Sequence, residues 1–267
     1  MKAKWLAFIN GKGGCAKTTS LFNVAGVLAK AGERVLVLDL DKQRNITYTL
    51  MKNSETPNKS VVDVMLGDAT PEEATGKALW AGIGGRKPRY WGVDVLNGDV
   101  RLKDEKLLSG IDAERFGAVM EAFVAEGGYD WVLLDMPPSN AVLNKICFSR
   151  LVDFTIVPFS TDEYSVMGYG DILEEINAAR ELNPELNSLG VFMARHNCHR
   201  AGADYIRQMA KKYLTSEFID VQIPDAAEIP DASFEGRPIV YCRPLSKASR
   251  AYEALVNEMV KRINAGR

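Results

Sequence analysis

The sequence predicts an α/β fold: a doubly wound, mostly parallel β-sheet flanked by helices on both faces, in a single domain. Three observations carry this expectation. Apolar runs of strand length recur along the chain and alternate with amphipathic stretches of helical period. A glycine-rich loop stands directly between the first apolar run and the first helical stretch. At 267 residues and 46% apolar content the chain can bury one substantial core, and no low-complexity linker or internal repeat divides it. One domain over 1–267 is the simplest reading.

The elements follow in order. Trp5-Leu6-Ala7-Phe8-Ile9 is the first strand run. After the glycines, Leu21, Val24, Ala25, Leu28 and Ala29 fall three and four apart, which makes a helix with one buried face. Gly32 ends it, where a left-handed residue favours glycine. Further runs at 35–40, 93–96, 131–135, 154–158, 190–194 and 218–223 read as strands. Their nearly continuous apolar character suits strands covered on both sides. Amphipathic stretches near 111–126, 141–150, 164–182 and 202–213 supply the helices between them. The last element, about 246–264, carries Tyr252, Leu255, Val256, Met259, Val260 and Ile263 on one side. That is a docking helix, with Lys247, Arg250, Lys261 and Arg262 left for solvent or a partner. The loosest stretch, 82–91, sets Arg86, Lys87 and Arg89 beside Tyr90 and Trp91. Such a mixture can hold nucleic acid, but a solvated loop with its aromatics tucked onto the core is the better reading.

Composition narrows the function classes. No apolar run is long enough to span a bilayer, and the N-terminal Met1-Lys2-Ala3-Lys4 leads straight into the first strand with no room for a signal peptide. Cys15, Cys147, Cys198 and Cys242 lie far apart without metal-site spacing, as reduced thiols in a cytoplasmic protein would. The formal charge of −2 gives no global pull toward nucleic acid, so any DNA contact must come from a local patch. His196-Asn197-Cys198-His199 looks like a metal motif only superficially. Adjacent Cys198 and His199 point apart in extended backbone and no second ligand pair accompanies them, so a loop after the sixth strand is the better reading.

The loop itself reads Asn10-Gly11-Lys12-Gly13-Gly14-Cys15-Ala16-Lys17-Thr18-Thr19. The usual phosphate-loop pattern, Gly-x-x-x-x-Gly-Lys-Ser/Thr, is broken by Ala16 in place of its last glycine. The chemistry survives that mismatch. Glycines let successive backbone N–H groups turn toward phosphate oxygens, and the following helix aims its positive end at the same point. Lys17 can reach the β- and γ-phosphates of a nucleoside triphosphate, and the Thr18 hydroxyl can ligate Mg²⁺. In open α/β sheets ligands sit beyond the carboxyl ends of the strands, which is where Asp39, Asp41 and Asp135 fall. Asp135 suits Mg²⁺ held through water. Asp41 is the candidate to orient the attacking water, and Asp39, two residues back on the same extended face, to shape the same site; both join Thr18 and Asp135 as expected Mg²⁺ ligands. Any one of these aspartates by itself could equally be a turn or helix cap.

Three signatures together resemble a known family. Lys12-Gly13-Gly14-x-x-Lys17-Thr18-Thr19, Asp39-Leu40-Asp41-x-Gln43-x-Asn45 and Asp135-x-Pro137-Pro138 look like those of the deviant Walker A P-loop ATPases, specifically the ParA/Soj branch. The likeness runs on through Ile223-Pro224, Gly236-Arg237-Pro238-Ile239 and Ser246-Lys247-Ala248-x-x-Ala251-Tyr252. The resemblance implies an ATPase that binds ATP and Mg²⁺ and dimerises with ATP, with Lys12 reaching the partner subunit's phosphates and Lys17 acting within its own. It places adenine against Pro224 and Asp225, mostly through backbone. It also implies non-specific DNA binding, hydrolysis stimulated by a ParB-like or small adaptor protein, and positioning of a plasmid, a chromosome or a large assembly. The location it implies is the bacterial cytoplasm, at the nucleoid where DNA is held.

Departures from that pattern matter. Ala16 carries a real cost if its φ is positive and little if it is negative, so ATP binding with slow or partner-dependent hydrolysis is expected. Lys42 replaces the usual proline, and Asp225 stands where arginine is common, removing one expected DNA contact. The remaining basic candidates are Arg195, Arg200, Arg207, Lys211, Lys212, Arg237, Arg243, Lys247 and Arg250. Three alternatives compete. A redox protein like the nitrogenase iron protein needs paired cysteines at a dimer axis, where only Cys147 is plausibly placed. A MinD-like membrane switch wants an amphipathic tail beyond Ala265-Gly266-Arg267. A nucleotide-gated binding protein would scarcely hydrolyse at all.

Overall fold

The computed structural model describes residues 2–80, 87–138, 140–160, 166–196 and 202–266. In chain order, β1 (Lys4–Phe8) leads to α1 (Lys17–Lys30), β2 (Val35–Asp39) and the short helices α2 (Asn45–Leu50), α3 (Val61–Leu66) and α4 (Pro71–Ala74). Then come β3 (Thr75–Trp80), β4 (Arg89–Leu96), α5 (Glu105–Ser109), α6 (Ala113–Gly127), β5 (Trp131–Asp135), α7 (Ala141–Phe148) and β6 (Phe154–Ser160). The last third holds α8 (Val166–Leu182), β7 (Asn187–His196), α9 (Ala203–Leu214), β8 (Phe218–Pro224), α10 (Glu228–Glu235), α11 (Ile239–Cys242) and α12 (Lys247–Asn264). The strands form one sheet in the order β3-β4-β2-β5-β1-β6-β7-β8. Every described pairing is parallel except β3 with β4.

Each central strand serves two cores, which is why the strand runs are apolar throughout. In β1, Trp5 and Ala7 join one cluster with residues of α3, α6, α7, α8 and α9. Leu6 and Phe8 join the other with α1, α10, α11 and α12. Helices thus cover both faces, as the alternating pattern predicts.

Register sets up the site. Phe8 and Asp39 both lie opposite Asp135, so the strand leading into the glycine loop and two carboxylates end on one line across the sheet centre. Two features add to the sequence reading: an extra stretch of elements and an earlier start to β4. Residues 51–80 contribute α3, α4 and the edge strand β3, whose half-exposed sequence offers no continuous apolar run. The Ser54 hydroxyl blunts that edge by accepting from Leu79 N–H at 3.1 Å and donating to Lys77 C=O at 2.7 Å. Within 82–91, residues 82–86 lie outside the described part, while Arg89, Tyr90 and Trp91 begin β4. Trp91 is buried, stacks on Trp80 at 6.3 Å and meets Tyr241 edge-on, so its ring belongs to the core. The C-terminal helix docks as expected, with one correction. Arg262, expected at the surface, turns inward and donates to the Leu189, Ser216 and Phe218 carbonyls at 2.8–3.1 Å.

Candidate functional site

The glycine loop is built around Asn10, a residue the motif does not advertise. Its amide donates to Pro158 C=O at 2.8 Å and its Oδ1 accepts from Lys12 N–H at 2.8 Å, pinning the loop to β6. Gly14 takes φ +78°, open to glycine at no cost. Ala16 takes φ +68° and ψ +29° as the residue entering α1, so the replaced glycine position does demand a left-handed backbone. This conformation costs a non-glycine residue about 1–2 kcal/mol. Lys17 is buried beneath the loop, and its ammonium donates to the carbonyls of Asn10 at 2.8 Å and Lys12 at 3.1 Å. Cys15 is also buried, with its thiol donating to Lys12 C=O at 3.3 Å.

The loop forms one wall of a cavity of about 680 Å³. Gly13, Gly14, Cys15, Ala16, Lys17, Thr18 and Thr19 line it, with Asp41, Gln43 and Asn45 on a second side and Arg195, Pro224 and Asp225 at a third. Gly11 and Lys12 are not part of that wall. They stand exposed beside it, with the Lys12 ammonium 3.9 Å from Asp171 on α8.

The three aspartates separate into distinct environments. Asp135 is buried at the end of β5, and its Oδ2 accepts from the Thr18 hydroxyl at 2.8 Å. Its Oδ1 is buried without a hydrogen-bond partner. Burial, then the neighbouring charge of Asp39, raises its pKa to about 8. An orphaned carboxylate oxygen beside a threonine hydroxyl is the donor set that a hard divalent cation takes up, so these residues fit Mg²⁺. Asp41 faces the cavity and is tied into its own loop by Gln43 N–H on Oδ1 at 2.9 Å. Asp39 differs from the expectation that it ligates metal. It is fully buried, is not among the cavity-lining residues, and both its oxygens are engaged: Oδ2 by Thr47 N–H (2.9 Å) and hydroxyl (2.6 Å), Oδ1 by Asp41 N–H (3.2 Å). A Cβ at Gly98 would stand 2.7 Å from the Asp39 carboxyl carbon, so the group is sealed from behind as well. Burial lifts its pKa to about 6 against these hydrogen bonds. Asp39 therefore braces the Asp41 loop from the interior. Its alternation with Asp41 could not show this, because Thr47 and Gly98 reach it only in the fold.

Half of the described basic candidates for a DNA face are already engaged. Arg207 and Lys211 bind Asp220 at 2.7 and 2.6 Å, Arg195 faces Asp225 at 3.7 Å, and the Arg237 Nε donates to the Cys242 thiol sulfur at 3.1 Å. Arg200, Asn197, Cys198 and His199 lie outside the described residues. Lys212 is exposed next to Tyr213. Arg243, Lys247 and Arg250 remain, all exposed around the start of α12 and in no ion pair among the described residues. Cys147 is sealed in the core, where burial pushes its thiol up to about 12, which does not suit a cluster ligand at a subunit surface. Among the described residues no helix is long and apolar enough to cross a membrane.

Sequence and structure comparisons bear on this geometry. A family model described as an AAA domain matches residues 3–188. The chain is 28% identical to the chromosome partitioning protein ParA of Caulobacter vibrioides over 96% of its own length and 94% of that protein's. It is also 28% identical to the chromosome-partitioning ATPase Soj of Thermus thermophilus, over 98% and 97% of the two chains. Among solved structures, the cobyrinic acid a,c-diamide synthase of Mycobacterium smegmatis, crystallised with an ATP analogue and magnesium, superposes with a TM-score of 0.78. That pair shares 23% identity and covers 99% and 97% of the two chains, a likeness of fold.

Proposed function

Because this chain belongs to the AAA domain family and is a ParA-like P-loop ATPase, we propose that it is an ATP-dependent dimerising switch that partitions or positions a large cargo. The observation that carries this reading is the cavity that runs from the phosphate loop past Asp41 to Pro224 and Asp225. Its size and wall chemistry suit a nucleoside triphosphate, with backbone N–H groups and a helix N-terminus at the phosphate end.

In this reading the loop from Gly13 to Thr19 cradles the phosphates and Lys17 holds them within the subunit. Thr18 and Asp135 hold Mg²⁺, which neutralises phosphate charge when bound. Asp41, facing the cavity on a loop braced by Asp39, orients the water that attacks the γ-phosphate. Phosphoryl transfer depends on positioning and on positive charge near the γ-oxygens. Lys12, exposed beside the cavity, supplies that charge to a partner subunit, so hydrolysis depends on dimerisation. The exposed Arg243, Lys247 and Arg250 give each dimer six cations for DNA phosphates, and a ParB-like or small adaptor protein stimulates hydrolysis and resets the switch. A cytoplasmic, nucleoid-bound protein follows from that cycle.

The strained Ala16 favours a second reading, a nucleotide-gated binder with very slow turnover. One experiment addresses both. Light scattering with ATP, ADP or no nucleotide is expected to show a dimer with ATP alone, lost in Lys12→Ala although that variant still binds ATP. A wild-type protein that stays monomeric with ATP contradicts the switch. Phosphate release near zero even with DNA and the adaptor present favours the second reading.

A further inference from the structure

Asn10 stands where β1 gives way to the glycine loop; it is 3% exposed and is not among the residues lining the nucleotide cavity. Just before it, Ile9 N–H donates to Ile156 C=O of β6 at 3.1 Å, as a rung of the parallel ladder. Two residues further along β6, Pro158 C=O takes the Asn10 side-chain amide instead, at 2.8 Å. The side chain thus continues the ladder after the backbone has left it. Its Oδ1 accepts from Lys12 N–H at 2.8 Å. These partners fix the amide's orientation, since the Pro158 carbonyl can only accept and the Lys12 N–H can only donate. Through one buried amide, matched at both ends, the backbone of Lys12 is tied to the sheet. The Lys12 side chain itself is held by little: it is 45% exposed, with Asp171 3.9 Å from its ammonium. A lysine is a point charge on a flexible stem, so the reach of its ammonium depends on where its root is held. Lys17 also grips this stretch, donating to the Asn10 and Lys12 carbonyls at 2.8 and 3.1 Å. That ammonium is the one a triphosphate draws on. Asn10 stands outside the cavity wall, so its two contacts do not compete with a nucleotide.

We propose that Asn10 is the positioning residue for Lys12: by anchoring the root of that lysine to β6, it aims the ammonium at the partner subunit's phosphates. Asn10 itself touches neither nucleotide nor reacting atoms. This deepens the ATP-switch reading and rests on its assignment of Lys12 to the partner. A charge that acts across a dimer is useful only where it is held in place beforehand. Loosening its root therefore weakens the shared site and leaves the phosphate cradle of the same subunit intact.

The test separates binding within a subunit from assembly between two. ATP affinity is measured on dilute monomer, and the dissociation constant of the ATP dimer by sedimentation, with melting temperatures confirming that each variant is folded. Asn10→Ala should weaken the dimer about tenfold and change monomer ATP affinity by less than about threefold. The same split, smaller, is expected of Asn10→Ser, whose hydroxyl can keep the turn at Lys12 but is too short to reach Pro158. A brace of the loop as a whole would move both quantities together. Equal loss of ATP affinity and dimerisation overturns the proposal, and so does an unchanged dimer constant in the folded variants. A wild type that stays monomeric with ATP, or a Lys12→Ala protein that dimerises as well as wild type, overturns instead the switch reading on which the proposal rests.

Discussion

At Ala16 the glycine loop carries a left-handed alanine whose methyl group packs against the core that α1 shares with α12. Replacing it with glycine relieves backbone strain but frees the unfolded chain and removes that packing. The net expectation for Ala16→Gly is a gain of roughly 0.5–1 kcal/mol in denaturant-measured stability. ATP turnover should rise in the same variant if the methyl slows the switch. Equal turnover in the two proteins would show that Ala16 is only a structural cost. Asp39 and Asp135 make a second prediction through pH. Both hold protons more tightly folded than unfolded, so folded-state stability falls as pH rises from the ordinary aspartate value near 4, through about 6, toward about 8. The melting temperature of metal-free protein should therefore drop between pH 5 and pH 8. Added Mg²⁺ should restore it at pH 8 and do little at pH 5, and Asp135→Asn should flatten the profile. A profile independent of pH in wild type would contradict the burial of these carboxylates.

Among the elements, α12 shows how amphipathic patterning both succeeds and fails. Its stripe of Tyr252, Leu255, Val256 and Met259 is buried as the 3.6-residue period requires, and Ser246 caps it by accepting from Ser249 N–H. Arg262 continues that face beyond Met259, but as a charged residue it escapes an apolar count, and its guanidinium fork closes on the backbone carbonyls of Leu189, Ser216 and Phe218. Removing it leaves those acceptors unmatched. Arg262→Ala should cost roughly 2–4 kcal/mol by chemical denaturation, and Arg262→Lys should recover little, since an ammonium cannot reproduce a planar fork. A loss below about 0.5 kcal/mol, typical of a plain surface residue, would refute this role. The edge strand β3 was illegible for a different reason. A half-exposed antiparallel edge alternates weakly and contains Gly76 and Lys77, so it lacks the continuous apolar run that marks its parallel neighbours.

For the whole molecule, the nucleotide cavity and the cationic surface share one helix. Tyr252 of α12 lines the cavity, while Lys247 and Arg250 at the start of the same helix face outward. If DNA is held there, affinity should fall with salt. Replacing Arg243, Lys247 and Arg250 together by alanine should then lower the slope of log K against log salt by nearly one for each phosphate that is no longer neutralised. An unchanged slope in a variant that still dimerises with ATP would move the DNA-binding face elsewhere on the protein. Periodicity and punctuation were enough to predict the layered α/β fold, the loop at its centre and the family, because strand runs buried on both sides and glycine-rich phosphate loops leave local marks in the chain. Only the tertiary structure decided the division of labour among the acids and bases. It buries Asp39 behind Thr47 and Gly98, leaves Asp135 with an unmatched oxygen, turns Asp41 to the cavity and sets Arg195 against Asp225. Those outcomes depend on neighbours remote in sequence, and a charge's environment, unlike a strand's period, is written in no single stretch of chain.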